Sequence, residues 1–312
     1  MTKTQQELSD LIETFDSFEL GDPFPVGNAH YIPILTEKED NPREYITVHE
    51  ALEQGLVNLQ DSGRIDAVWA TNNAAKSVLF IAGMDVHAQG TQSRIIIGSH
   101  LVPPKTKVEL PCRCTHDVHP IRQYQCLMTD VEHYIVASPG VRGSSIAGEV
   151  AAQDRVRMKV KAHREKLKHT TIEGKPLLDK AENSSRLSVV QQKAAKEIQA
   201  TIKGIQPLPH QIGLAVISED EVQALEVFDS PETYRHFHKH LIGRFAYEIA
   251  APKATSARKV AALRVKMLQE VQRLSQHLDI EEGQGTAQWK GKILGTLQNK
   301  NHRLIHLCLE KI

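Results

Sequence analysis

A succession of short apolar and β-branched runs between residues 28 and 140 constrains the fold of this chain more than any other feature. The clearest runs are residues 77–82 (SVLFIA), 93–99 (SRIIIGS) and 106–114 (TKVELPCRC), and polar or glycine-containing segments separate them. Runs of this length and composition are typical of β-strands. Many short strands with turns between them favour a sandwich or a barrel over a doubly wound parallel sheet.

Helical signals are inserted among these strands. Thr47 and Glu50 form a capping box, and Gly55 is expected to end the short helix that it opens. Residues 149–168 predict a very basic helix, residues 187–202 carry apolar side chains at helical spacing, and Ser230-Pro231 opens a further helix. The predicted fold class is therefore α+β, with a β-rich sandwich or barrel-like core and inserted helices.

The predicted organisation is a polar extension over residues 1–27 and a single domain over residues 28–312. Within that domain we expect a β-rich part at 28–140, a helical insertion at 146–205, a strand pair and helices at 210–279, and a hairpin at 286–309. The hairpin turn is expected at residues 298–301. Residues 167–184 contain Gly174 and Pro176, which predicts a mobile loop.

Charge and composition limit the class of partner. Lys and Arg total 38, as do Asp and Glu, so the net charge is zero, and this balance argues against nucleic acid as the main partner. No apolar run is long enough for a signal peptide core or a bilayer span, so a cytoplasmic protein is expected. The apolar stripe of the helix from Val260 to Leu278 fits packing on its own domain better, with a homodimer seam as the alternative.

The polar connection between the strands at 77–82 and 93–99 is the first candidate site. It brings Asp85, His87, Gln92 and Arg94 into one short stretch. The Arg94 guanidinium can hold a phosphate or carboxylate with two parallel hydrogen bonds, and Gln92 and His87 would contact the same ligand. The alternative is a structural turn in which Arg94 forms a salt bridge.

The second candidate is a cluster of metal-ligating residue types. Cys112, Cys114 and His116 would point to one side of a strand and could bind zinc, completed by one further residue among His119, Cys126 and His133. The alternatives are two buried thiols or a single reactive Cys112, which would need a lowered pKa. His306 in the last strand is a candidate for the same pocket or a structural histidine, and the catalytic candidates are Cys112, His306 and Asp85.

Several blocks of the sequence resemble the ARG and rhodanese-phosphatase-superfamily-associated protein (ARPP) domain family. They are residues 45–55 (YITVHEALEQG), 90–94 (GTQSR), 111–112 (PC), 211–213 (QIG), 228–250 and 303–307 (RLIHL). The match departs from the family at Cys112, which lacks the glutamate and the GRW tail that follow the family cysteine, at Ser93, and at Met84, where Asp85 is the neighbouring acid. These departures put any activity that depends on Cys112 in doubt.

The resemblance implies a context of nucleotide or ADP-ribose metabolism, since the family is named for association with ADP-ribosylglycohydrolase, rhodanese and phosphatase domains. We therefore expect a domain that binds or processes a small anionic ligand, nucleotide-like or ADP-ribose-like. Two alternatives stay open: a metal-dependent cupin-like enzyme, and a non-catalytic homo-oligomeric assembly module.

Overall fold

The structure is a computed structural model. It describes residues 18–26, 29–37, 42–86, 93–115, 127–128, 135–136, 152–172, 175–181, 202–218, 221–246, 279–281, 284–289, 293–300 and 303–311, with the single residues 184, 187, 190 and 193.

Strands dominate the described residues, and three helices lie among them. The strands of its first half are β1 (Phe18–Leu20), β2 (Phe24–Val26), β3 (Ala29–Thr36), β4 (Tyr45–Thr47), β5 (Val57–Asp61), β6 (Ala67–Asn72), β7 (Ser77–Phe80), β8 (Met84–Val86), β9 (Arg94–Ile96), β10 (His100–Val102), β11 (Thr106–Cys114), β12 (Leu127–Met128) and β13 (Ile135–Val136). Those of its second half are β14 (Thr171–Ile172), β15 (Lys175–Pro176), β16 (Gln211–Ser218), β17 (Glu221–Phe228), β18 (Asp279–Glu281), β19 (Gln284–Trp289), β20 (Ile293–Lys300) and β21 (Arg303–Lys311). The helices are α1 (Val48–Glu53), α2 (Ala152–His169) and α3 (Pro231–Ala246). The α+β class with a β-rich core is confirmed.

The chain divides into two compact units. Unit 1 comprises Met1–Pro42, Ile205–Lys239 and Ile249–Ile312, and unit 2 comprises Arg43–Gly204 and His240–Glu248. The single domain over residues 28–312 stays a prediction, because compactness does not measure whether a unit folds alone. Strands β1 and β2 lie within the predicted N-terminal extension and pair with β3, so the sheet of unit 1 includes residues 18–26.

Unit 1 is built on one antiparallel sheet with the strand order β1-β3-β16-β17-β21-β20-β19-β18, and β2 also pairs with β3. Leu225 and Val227 of β17 pair with Leu309 and Leu307 of β21, which places these side chains on one face. They belong to a buried apolar cluster that also contains Ile32, Ile34, Ile212, Ala215, Ile217 and Leu304. This face is the hydrophobic core of the unit.

The opposite face of β17 and β21 is buried as well. Phe228 lies on it and stacks on Phe237 of α3, with ring centroids 5.4 Å apart. Ser230 caps α3 as predicted, because its Oγ accepts a hydrogen bond from the backbone N–H of Thr233 at 3.1 Å. The first part of α3 therefore covers the second face of the sheet.

Gly213 is required for the pairing of β16 with β17. A Cβ atom at this position would collide with the backbone carbonyl oxygen of Glu226. On its other edge β16 pairs with β3, and that pairing has a register irregularity between Gln211 and Gly213. The glycine thus allows β16 to approach the part of β17 that carries Glu226.

Unit 2 contains a sheet with the order β12-β5-β6-β11-β9-β8-β13 and a smaller sheet with the order β10-β7-β4. Strand β11 pairs with β6 through its first part and with β9 through its last three residues. Ile95 of β9 packs with Val156 and Val160 of α2, together with Leu187. Helix α2 therefore covers one face of the sheet at β9.

The predicted capping box of α1 is present. Thr47 Oγ1 accepts from the N–H of Glu50, the N–H of Thr47 donates to the Glu50 carboxylate at 2.7 Å, and Arg43 donates two hydrogen bonds of 2.8 Å to the same carboxylate. Burial raises the pKa of Glu50, but the hydrogen bonds from Arg43 and Thr47 outweigh it and lower the pKa to about 2. Gly55 follows the helix at φ 65°, as expected for its end.

The Glu50 carboxylate is expected to stabilise the fold above pH 4.5, its ordinary pKa, and to lose that contribution as the pH falls toward 2. Glu50→Gln should lower the free energy of unfolding by about 1–3 kcal/mol at pH 7, since charge-assisted hydrogen bonds are lost. The matched control is Glu53→Gln on an exposed side chain of the same helix, expected to change it by less than about 0.5 kcal/mol. Urea unfolding between pH 7 and pH 3 measures both; a Glu50→Gln difference that does not shrink with falling pH contradicts this role.

The predicted secondary structure differs from the structure in two places. Residues 167–184, predicted to form a mobile loop, contain the short β14–β15 hairpin. The side chains of Leu177 and Leu178 in the same segment are buried at 2% exposure, so apolar packing holds part of it in place. At the C-terminus the predicted hairpin is present, because β20 pairs antiparallel with β21, but the predicted turn at 298–301 is misplaced, since β20 continues to Lys300.

Candidate functional site

Arg94 is buried in unit 2 at 2% exposure, beside Asp61 at 4%. Its Nη2 lies 3.4 Å from each Asp61 carboxylate oxygen and donates to the carbonyl oxygen of Arg64 at 3.1 Å. Charge-assisted hydrogen bonds usually measure about 2.7–2.9 Å, so this buried ion pair is long. The salt bridge that the sequence offered as the alternative to ligand binding is thus present, but loosely made.

The rest of the Arg94 guanidinium has unused hydrogen-bonding capacity. Among the described residues, no hydrogen-bond partner faces its Nε or Nη1, and both atoms are inaccessible to solvent. Leaving a buried donor unsatisfied costs about 1–3 kcal/mol. Arg94 is consequently a buried cation that can donate further hydrogen bonds to the oxygen atoms of a ligand.

Cys112 and Cys114 lie on the Arg94 side of the sheet. Both are fully buried, and Cys114 is the direct partner of Arg94 in the pairing of β11 with β9. Burial raises the pKa of the Cys112 thiol to about 12, although the charge of Arg94 acts in the opposite direction. A reactive Cys112 required a lowered pKa, so the structure gives this alternative no support.

Of the remaining candidates of unit 2, Asp85 lies in the described part of the chain and the others do not. Asp85 is fully buried on β8 and accepts a hydrogen bond of 2.6 Å from the Thr115 hydroxyl, which fits a structural role as well as a catalytic one. Other predicted residues lie outside the described part of the chain: His87, Gln92, His116, His119, Cys126, His133 and the helix from Val260 to Leu278. The zinc site at Cys112, Cys114 and His116 and the homodimer seam therefore stay predictions.

His306 lies in unit 1, where it forms a buried pair with Glu226. The His306 Nε2 and Glu226 Oε2 are 2.8 Å apart, and both side chains have 0% exposure. Phe228 packs on the imidazole with ring centroids 4.5 Å apart. An imidazole held by a buried carboxylate is a common element of catalytic and metal sites.

Two further ionisable side chains lie beside this pair. Cys308 is the direct partner of Glu226 in the pairing of β17 with β21, and Glu310 is two residues further along the same face. The Cys308 sulfur and one carboxylate oxygen each from Glu226 and Glu310 lie within 4.8 Å of one another. Two carboxylates and a thiol at this separation can ligate a metal ion.

The sequence analysis missed Glu226, Cys308 and Glu310. Their signal is His306-x-Cys308-x-Glu310 at the period of a strand, in an otherwise apolar segment, with the lone acid of Ala224-Leu225-Glu226-Val227-Phe228 as partner. Period 2 places these side chains on one face, but only the β17–β21 register shows that Glu226 lies across from Cys308.

A second polar network supports α3 above the same sheet. The Tyr234 hydroxyl accepts a hydrogen bond from Gln211 Nε2 at 2.8 Å and lies 2.9 Å from His238 Nδ1. Burial, and then the charge of Glu226, raise the pKa of Tyr234 above its usual range. Burial also lowers the pKa of His238, against a weaker opposing hydrogen bond to the carbonyl of Ile205. Both groups are therefore held neutral near pH 7.

The fold and these buried polar groups define a strand-rich α+β protein with ionisable side chains inside each unit. The chain matches the sequence model of the ARG and Rhodanese-Phosphatase-superfamily-associated Protein domain over residues 17–117 and 142–309, and it belongs to this family. The resemblance stated from the sequence is confirmed. No curated protein and no solved structure matches the chain. None of the helices in its described part is long and apolar enough to cross a membrane, and the cytoplasmic location stays a prediction.

Proposed function

We propose that this protein binds a small anionic ligand in unit 2, with Arg94 as the principal contact. The observation that carries the proposal is the buried guanidinium whose Nε and Nη1 have no hydrogen-bond partner among the described residues. A phosphate or carboxylate offers several acceptor oxygens in one compact group, which matches the donors of a guanidinium. An anion would thus satisfy buried donors that otherwise lower stability.

Asp61 fits this proposal as the resident counter-charge. It neutralises Arg94 when no ligand is bound, and its contacts of 3.4 Å are long enough to be weakened when a second set of oxygens arrives. Because the guanidinium is buried, water does not screen its attraction for an anion as it would at the surface. Gln92 and His87 are the predicted additional contacts.

Ligands that contain phosphate are the first to be tested. The family resemblance implies a context of nucleotides and ADP-ribose, and a diphosphate ligand presents more acceptor oxygens than inorganic phosphate. We therefore expect ADP-ribose to bind more tightly than inorganic phosphate. Mass spectrometry of the ADP-ribose recovered after incubation distinguishes binding from processing.

Isothermal titration calorimetry with inorganic phosphate and with ADP-ribose tests the proposal. Arg94→Lys is expected to weaken the binding of ADP-ribose at least about tenfold, since a lysine cannot present the planar set of donors. The matched control is Arg64→Gln, which removes an exposed guanidinium but keeps the backbone carbonyl that accepts from Arg94. Its affinity should equal that of the wild type.

Two results would contradict the proposal. One is the absence of any binding of either ligand to the wild type. The other is an equal loss of affinity in Arg94→Lys and Arg64→Gln, which would indicate attraction to surface charge instead of a defined site.

A further inference from the structure

We infer that unit 1 binds one divalent transition-metal ion through Glu226, Cys308 and Glu310. The three ligand atoms lie within 4.8 Å of one another, and all three side chains are buried, at 1% exposure or less. This inference does not rest on the proposed function, because its residues belong to unit 1 and Arg94 belongs to unit 2.

The donor set selects the class of metal. Magnesium and calcium prefer sites made only of oxygen ligands, so a thiolate beside two carboxylates is a poor site for either ion. Zinc, cobalt and ferrous iron accept mixed sulfur and oxygen ligands. The chemistry of Cys308 therefore favours a zinc-like ion, and its thiol proton is released to solvent when the thiolate binds.

The strand geometry brings the donors to the ion from two directions. Glu226 comes from β17, and Cys308 and Glu310 come from alternate positions of β21. Ligand atoms around a tetrahedral zinc are about 3.3–3.8 Å apart, given bonds of about 2.0–2.3 Å. The ligand atoms now lie within 4.8 Å of one another. Side-chain rotations that move them by roughly an ångström would bring them to the spacing of a tetrahedral site, while the paired backbones stay fixed.

His306 completes the arrangement as a positioning residue. Its Nε2 lies 2.8 Å from Glu226 Oε2, so it can hold this carboxylate with one oxygen turned toward the ion. Outer partners that hold a metal ligand in this way commonly tune metal affinity about 10–100-fold.

Titration of the chelator-treated full chain with Co²⁺ tests the site. We expect one Co²⁺ per chain, visible d–d absorption bands of a four- or five-coordinate ion, and a near-ultraviolet charge-transfer band that reports a thiolate ligand. Cys308→Ser should abolish the charge-transfer band and weaken Co²⁺ binding at least about tenfold, since a ligand is lost. Cys112→Ser removes a thiol of the zinc site predicted in unit 2, and loss of the charge-transfer band in this variant instead of in Cys308→Ser would overturn the inference.

His306→Gln separates positioning from ligation. It should weaken Co²⁺ binding about 10–100-fold while the charge-transfer band is retained at saturation, since Cys308 still ligates the ion. Loss of the band in His306→Gln at saturating Co²⁺, with the circular dichroism of the wild type, would contradict this role.

If Cys308→Ser does not fold, zinc K-edge X-ray absorption of the zinc-loaded wild type identifies the ligands directly. One sulfur and two or more oxygen neighbours are expected for Glu226, Cys308 and Glu310. Two sulfur neighbours would instead place the ion at the predicted Cys112 and Cys114 site. That result, the absence of Co²⁺ binding, or a charge-transfer band that survives in folded Cys308→Ser would overturn the inference.

Discussion

Asp61→Asn should lower the free energy of unfolding by about 3–5 kcal/mol at pH 7, because it leaves the Arg94 guanidinium buried without its counter-charge. The substitution conserves volume and keeps an oxygen that can accept from the N–H of Gly63, as Asp61 Oδ1 does at 2.9 Å. The expected loss therefore reports charge and not the turn at Gly63. Urea unfolding followed by circular dichroism measures it.

Asp66→Asn is the matched control in the same unit. Asp66 pairs with Arg64 at 3.0 Å, but the two side chains are 48% and 59% exposed. Water screens such a pair, so its loss should cost at most about 1 kcal/mol. Equal effects of the two substitutions would show that burial of the Arg94–Asp61 pair does not matter energetically.

Phe228→Ala should also cost about 3–5 kcal/mol, since it empties the centre of the contact between α3 and the sheet of unit 1. The ring packs on Phe237, on Tyr234 at a centroid distance of 6.2 Å, and on His306. Removing it leaves a cavity that rigid paired strands cannot fully close. Thermal and urea unfolding measure the loss.

Phe228→Leu is the control for the volume at this position. A leucine fills most of the space, so its expected cost is below about 2 kcal/mol. If Phe228→Ala proved no more destabilising than Phe228→Leu, α3 would not depend on this aromatic contact for its packing.

Local signals in the sequence were sufficient for much of the secondary structure. Strand β11 runs over the predicted residues 106–114, because alternating β-branched and polar side chains set its period. The capping box at Thr47 and the serine cap at Ser230 are likewise formed by neighbouring residues. The prediction was wrong where the structure of a segment depends on tertiary packing, as it does at the buried Leu177 and Leu178.

The site depended on contacts that no local pattern contains. The partner of His306 is Glu226, 80 residues away, and the partner of Arg94 is Asp61, 33 residues away. The first pair follows from the register of β17 with β21, and the second joins β9 and β5, which are not neighbours in their sheet. The sequence analysis predicted neither the register nor the sheet order. Residue type alone could therefore identify His306 and Arg94 as candidates, but not whether a carboxylate, a ligand or a metal would face them.

An NMR titration of the wild-type protein with inorganic phosphate tests the central claim most directly, by following the Nε–H resonances of its arginines. A bound phosphate should shift the resonance of Arg94 downfield and slow its exchange with solvent in a saturable manner, while the resonance of exposed Arg64 stays in place. An unchanged Arg94 resonance at saturating phosphate, or a shift confined to Arg64, would contradict the claim that the buried guanidinium is a ligand site.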